Sequence, residues 1–148
     1  MRKVTHIVVH HNGVDGRTID SIMRTHLGFG WSTIGYHYVI HEDGSLHTGR
    51  KEGSAGAHVA GLNKSTIGVC MIGNMDTHPP TKVQMNTLIA KLAALCVTHG
   101  LGAMNILGHS ETKDLVPKRL ATSKTCPGVF TDMNEIRRRV GRVLAASV

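Results

Sequence analysis

The amino-acid sequence predicts an α/β domain in which helices pack on the faces of one central, mixed β-sheet. Three observations carry that expectation. Short β-branched apolar runs alternate along the chain with longer segments whose apolar residues recur at helical spacing. The runs end at glycine or asparagine, residues that close strands in turns. The 148 residues match the size of one domain and can bury a core without disulfides, so residues 1–148 are expected to form a single domain.

Residues 4–10 (VTHIVVH) read as a strand buried on both faces and stopped at Asn12-Gly13. Residues 18–27 place Ile19, Ile22, Met23 and His26 at helical spacing, with Gly28 as the stop. Residues 36–41 and 45–48 flank Glu42-Asp43-Gly44, a hairpin signal. Residues 49–64 are rich in glycine and alanine without apolar period and read as a long surface loop, the kind of segment that carries function. Residues 66–72 form another buried strand. Thr81 with Gln84 makes a capping box, after which Val83, Met85, Leu88, Ile89, Leu92, Leu95 and Cys96 give the stripe of the main core helix, ending at Gly100. Residues 103–107 read as a short strand, 110–127 as a second long loop with room for a helical turn, and 133–146 as an amphipathic helix capped by Asp132 with Glu135.

Composition narrows the class. With 18% charged and 41% hydrophobic residues the chain is globular, neither disordered nor built for a bilayer. The longest apolar runs, such as 92–97, are too short to span a membrane, and no basic-apolar-small order marks a signal peptide. Synthesis in a cytosol is therefore expected, with Cys70, Cys96 and Cys126 free or metal-bound. A net charge of +7 favours polyanionic partners. Aromatics at 3% are too few for a base-stacking platform, and no helix-turn-helix or zinc-finger spacing appears, which argues against dedicated nucleic-acid binding. The eleven histidines are the unusual count.

Two of those histidines, His10 and His109, each end a predicted strand beside glycine or asparagine, where an α/β sheet exposes its site. Cys126, before Pro127-Gly128, lies in a loop that can fold back over both. Two imidazoles and a thiolate suit zinc, and three protein ligands leave one tetrahedral position open, which is the catalytic pattern. Taken singly, His10 is equally a turn-facing histidine, His109 a surface histidine and Cys126 a small buried hydrophobe.

The segments IVVHH (residues 7–11), GYHYVI with EDG (35–44), AHVAGLN (57–63), STIGVCMIG (65–73), GHSE (108–111) and KTCPG (124–128) resemble, in the same order, the motifs of the zinc N-acetylmuramoyl-L-alanine amidases. The resemblance covers nearly the whole chain. It implies the fold shared by amidase-type phage lysozymes and peptidoglycan recognition proteins, and cleavage of the amide between N-acetylmuramic acid and L-alanine in peptidoglycan. It further implies one zinc ion on His10, His109 and Cys126, with Tyr36 and Lys124 assisting catalysis. His58 and Asn63 fall in a segment that matches the family's substrate cleft. The cysteine ligand separates the amidases from relatives that bind without cutting. In the implied chemistry zinc and Lys124 stabilise charge growing on the carbonyl oxygen, while Tyr36 positions the attacking water or relays its proton. His11, next to a ligand, points to the other strand face. His6, His26, His37, His41, His47, His78 and His99 read as surface or core histidines, and Cys70 and Cys96 as packing residues.

A phage endolysin held in the host cytoplasm, which reaches the wall only after the membrane is permeabilised, is the expected role. Other readings are a cytosolic enzyme recycling muropeptides, a peptidoglycan-binding module without catalysis, and a polymerase inhibitor. The intact ligand set disfavours the binding module, and the short segment before His10 the inhibitor. The loop between His109 and Cys126 is longer than in the phage lysozymes, which bears on peptide preference. Arg137, Arg138, Arg139 and Arg142 on the last helix are candidates for contact with anionic envelope.

Overall fold

A computed structural model describes residues 2–146. Its strands are β1 (His6–His11), β2 (Tyr38–Ile40), β3 (Leu46–Thr48), β4 (Thr66–Met71) and β5 (Ile106–Gly108), and its α-helices are α1 (Ile19–Gly28), α2 (Lys82–His99) and α3 (Met133–Ala146). The five strands form one sheet in the order β3-β2-β4-β1-β5. All neighbours are parallel except β2 and β3, which form the antiparallel hairpin expected around Asp43-Gly44. β1 and β4 lie at the centre with helices on both sides, so their residues are nearly all buried and read as continuous apolar runs.

Alternation along the strands divides the chain into two cores. Ile7 and Val9 of β1, with Ile67, Val69 and Met71 of β4, pack against Leu88, Leu92, Leu95 and Cys96 of α2 and Ile136 and Val140 of α3. On the opposite face Val39, Cys70 and Ile72 pack with Ile34 and with Ile22 of α1. The register pairs His10 with Cys70, which puts both on this second, α1-covered face.

Thr81 and Gln84 form the capping box of α2, and Gly100 ends it in the left-handed conformation at φ 67°, where glycine has no Cβ to clash. The stripe departs from expectation at its start. Val83 is half exposed and Gln84 is fully buried. The reason is the β2–β3 turn, which packs on the first turn of α2: Thr81 and Thr87 hydroxyls donate to the carbonyls of Glu42 and Gly44. Gln84 Nε2 meanwhile donates to the carbonyl of Ile72 and, beside the Ile72 N–H, to that of Ile40, so the buried amide is itself paired at the ends of β2 and β4.

The segment expected as a strand over 103–107 is a 3-10 turn, Ala103–Asn105, followed by β5. Asn105 accounts for the turn: its side-chain oxygen accepts from Gly102 N while its own N–H donates to Gly102 O. The loop after His109 contains 3-10 turns at His109–Leu115 and Lys118–Leu120. α3 spans its expected residues, and Asp132 accepts from Glu135 N at its start. Its arginines are engaged. Arg137 pairs with Glu111, Arg138 and Arg142 share Glu135, and Arg139 donates to Asn86.

Candidate metal centre and catalytic cleft

Sheet geometry places the first two ligand candidates. Val9 and Gly108 are register partners on adjacent parallel strands, so His10 and His109, one residue further along each, emerge side by side. Their ring centroids are 4.7 Å apart. Cys126 arrives from the loop before α3, and its peptide bond to Pro127 is cis. Its Sγ lies 3.5 Å from His10 Nδ1. Among the described residues, His10, His109 and Cys126 form a group whose ligand atoms all lie within 4.8 Å of one another.

The hydrogen-bond network fixes which nitrogen of His10 is free. The Thr66 hydroxyl donates to Leu62 O at 2.7 Å, so it can only accept from His58 Nε2 at 3.2 Å. With its proton on Nε2, the neutral His58 ring accepts at Nδ1 from His10 Nε2, 2.8 Å away. His10 Nδ1 is then left with a bare lone pair facing Cys126. Metal-ligating histidines are oriented in this way by a partner on the other ring nitrogen. Zinc with bonds of about 2.0–2.3 Å in a tetrahedron needs nitrogen and sulfur ligands about 3.5 Å apart, which the His10–Cys126 pair meets. Burial lowers the pKa of His10 far below its ordinary value, helped by His58, His109 and His11 nearby. His109 is lowered by burial and by Lys124. Both are therefore neutral, the ligating form. Burial pushes the Cys126 thiol up to about 12, so a cation is what this pocket requires to hold a thiolate. The donor set fits zinc.

The three lie in a cleft of about 500 Å³. Tyr36, Lys124 and His58 also line it, together with His11, His26, Trp31 and Asp76. The Tyr36 ring is 5.1 Å from that of His10, and burial with the neighbouring Cys70 and Cys126 thiols raises its hydroxyl pKa well above 10. Cys70 thus touches Tyr36 besides filling the core. Lys124 is exposed on the rim. Asn63 is not among the residues that line the cleft: its Oδ1 accepts from His58 N and Val59 N, so it shapes the loop that presents His58. His11 points to the other face, where Nδ1 accepts from Met75 N. His26, read from sequence as an ordinary histidine, lies 5.7 Å from Tyr36 and 4.8 Å from Trp31, ring to ring. Nothing in the helical spacing distinguished it, because a cleft-facing histidine and a surface one share the same period.

The buried neutral histidines set an acid limit on the fold. Burial, with His37 and His109 nearby, lowers His58 to about 3. The fully buried His37 is lowered in the same direction by burial. A depressed histidine pKa means that the unfolded chain binds more protons between the folded value and about 6.5. Stability is therefore complete above pH 6.5 and declines as pH falls, by about 1.4 kcal/mol per pH unit for His58, with His37 adding in the same direction. In metal-free protein the melting temperature is expected to fall steadily from pH 7 to pH 5. A flat profile over that range would contradict neutral burial of these rings.

Residues 1–129 match the family described as N-acetylmuramoyl-L-alanine amidase. The chain is 32% identical to the endolysin of Klebsiella phage KP32 over 126 residues, 79% of this chain and 80% of that one. It is 35% identical to the endolysin of Escherichia phage T7 over 82 residues, 52% of this chain and 54% of that one. Among solved structures, the N-acetylmuramoyl-L-alanine amidase LysC from Clostridium intestinale URNW superposes with a TM-score of 0.82 at 29% identity, covering 94% of this chain and 86% of that one. This chain belongs to the N-acetylmuramoyl-L-alanine amidase family.

Proposed function

We propose that the chain hydrolyses the amide between N-acetylmuramic acid and L-alanine in peptidoglycan, using one zinc ion held by His10, His109 and Cys126, and that it serves a phage as its endolysin. The observation that carries this reading is the convergence of those three groups, with Tyr36 and Lys124, in one cleft. Zinc, when bound, supplies a Lewis acid at the scissile carbonyl. The chain's own residues do the rest. The Tyr36 hydroxyl, held protonated, positions the attacking water or relays its proton to the leaving amine. The exposed Lys124 ammonium faces the same space and stabilises negative charge growing on the carbonyl oxygen. His58 orients His10 through the bond at its far nitrogen, and Asn63 holds the loop that carries His58. Trp31, His26 and Ala57 wall the cleft and limit how substrate enters.

As an endolysin the chain waits in the host cytoplasm and meets the wall after the membrane opens. No helix among the described residues is long and apolar enough to cross a membrane. For contact with anionic envelope α3 offers Arg138 and Arg142, whose side chains stay 59% and 71% exposed while pairing with Glu135; the Arg137 side chain is 13% exposed and paired with Glu111. The test is release of free amino groups from purified peptidoglycan. Release is expected to stop with a chelator and to return with zinc. Wall binding without release would make the chain a recognition module.

A further inference from the structure

Asp76, on the turn after β4, was given no role by the sequence, yet it lines the cleft beside the metal ligands. Its carboxylate is spoken for. Both oxygens lie 2.7 Å from the Thr125 hydroxyl, and Oδ1 also accepts from Val129 N at 2.9 Å. Thr125 directly precedes Cys126 and Val129 follows it by three residues, so the two contacts grip the ligand loop on both sides of its cysteine. The neighbouring residue reinforces the grip. Phe130 N donates to Met75 O at 2.8 Å, and Gly128, at φ 100°, approaches so closely that a Cβ there would sit 2.6 Å from the Met75 carbonyl carbon. The same turn is tied to β1, because Met75 N donates to His11 Nδ1 at 3.0 Å.

These contacts form a single bridge. It starts at β1, which carries His10, passes through His11 to Met75 and Asp76, and ends on the loop that carries Cys126. The two ligands stand 116 residues apart in sequence, and this turn is a short structural path between them. We propose that Asp76 is a positioning residue for the metal centre: its clasp on Thr125 and Val129 sets the spacing of Cys126 from His10 and thereby the affinity for zinc. Partners that orient metal ligands carry factors of about 10–100 in metal affinity. The inference rests on the zinc reading above.

Asp15 provides the control. It is the other carboxylate fixed to this turn, accepting from Asn74 N and His78, and it does not touch the ligand loop. The experiment measures zinc affinity by competition with a chromophoric chelator, and the melting temperature of the metal-free protein, for Asp76→Ala, Thr125→Val, the double variant and Asp15→Asn. Asp76→Ala is expected to weaken zinc binding about 10–100-fold, with a metal-free melting temperature no lower than that of Asp15→Asn. Thr125→Val keeps the carboxylate's charge and its bond to Val129 N and loses the Thr125 half of the clasp, so a weakening in this variant separates positioning from simple attraction. The double variant should be no worse than the stronger single one. Hydrolysis should lose kcat with KM unchanged. Zinc affinity within twofold of the unsubstituted chain, an equal loss in Asp15→Asn, or full additivity of the two substitutions would each overturn the proposal. If the unsubstituted chain binds no zinc, the metal reading itself fails and this inference falls with it.

Discussion

Cys126→Ser is expected to abolish stoichiometric zinc binding and to lower amide hydrolysis on the order of a thousandfold or more, while the fold survives. The side chain is small and buried at the end of a loop held by other contacts, among them Ser110 N to Cys126 O at 2.7 Å and the Asp76 clasp. A serine hydroxyl fits the same volume and can donate to His11 O as the thiol does. The chemistry, however, does not transfer. A thiol buried here has its pKa pushed to about 12, within reach of a dication, whereas an alcohol stays protonated and offers a hard, weak ligand. Zinc bound at a thousandfold excess over its Kd adds about 4 kcal/mol of stability. Unsubstituted protein should therefore melt higher with zinc than with chelator, and Cys126→Ser should melt alike in both. Retained hydrolysis in a variant shown to carry no zinc would sink the metal mechanism, and a melting temperature well below that of the metal-free parent would assign Cys126 a structural role.

Much of this site is legible in the sequence because parallel strands place their last residues predictably. Residues 4–10 and the segment before His109 each read as a strand ending at a histidine, which lets the two meet; the structure adds that the strands are parallel neighbours in the register that brings them together. The α2 capping box, the Asp132 cap of α3 and the hairpin turn are legible because each is a local pattern of a few residues. What escaped reading is contact between segments that share no period. Gln84 sits on the stripe's first turn and is buried where its amide donates to carbonyls at the ends of β2 and β4. Asn63 resembles a cleft residue by its place in a motif, but its side chain turns back on its own loop. Asp76 and His26 reach the cleft through tertiary packing, which one sequence does not display. In the 103–107 segment only Ile106 and Leu107 are strand residues, and the Asn105 side chain closes a turn over the three before them.

The glycines around His58 make the strongest case of this kind, and they carry the second large expected effect. The His58 ring lies flat in a slot between Gly68 on β4 and Gly56 on the facing loop. A Cβ on Gly68 would stand 2.7 Å from His58 Cγ and Nδ1, and one on Gly56 would stand 2.7 Å from Cδ2. No rotation of a methyl group relieves contacts that short, and Gly68 cannot retreat, since it is held on a central strand by His37 through both its N–H and its carbonyl. In Gly68→Ala the imidazole must therefore leave. His10 then loses the acceptor that fixes its tautomer, and its two nitrogens compete for one proton. Overpacking of this sort costs about 1–3 kcal/mol, and loss of the orienting partner about tenfold or more in zinc affinity. The two effects separate in a cycle with His58→Ala. Removing the ring opens the slot, so adding Gly68→Ala to that background should cost almost nothing in either stability or zinc affinity. If Gly68→Ala is equally damaging with and without the His58 ring, the damage comes from the strand itself, and His58 is not what the glycine makes room for.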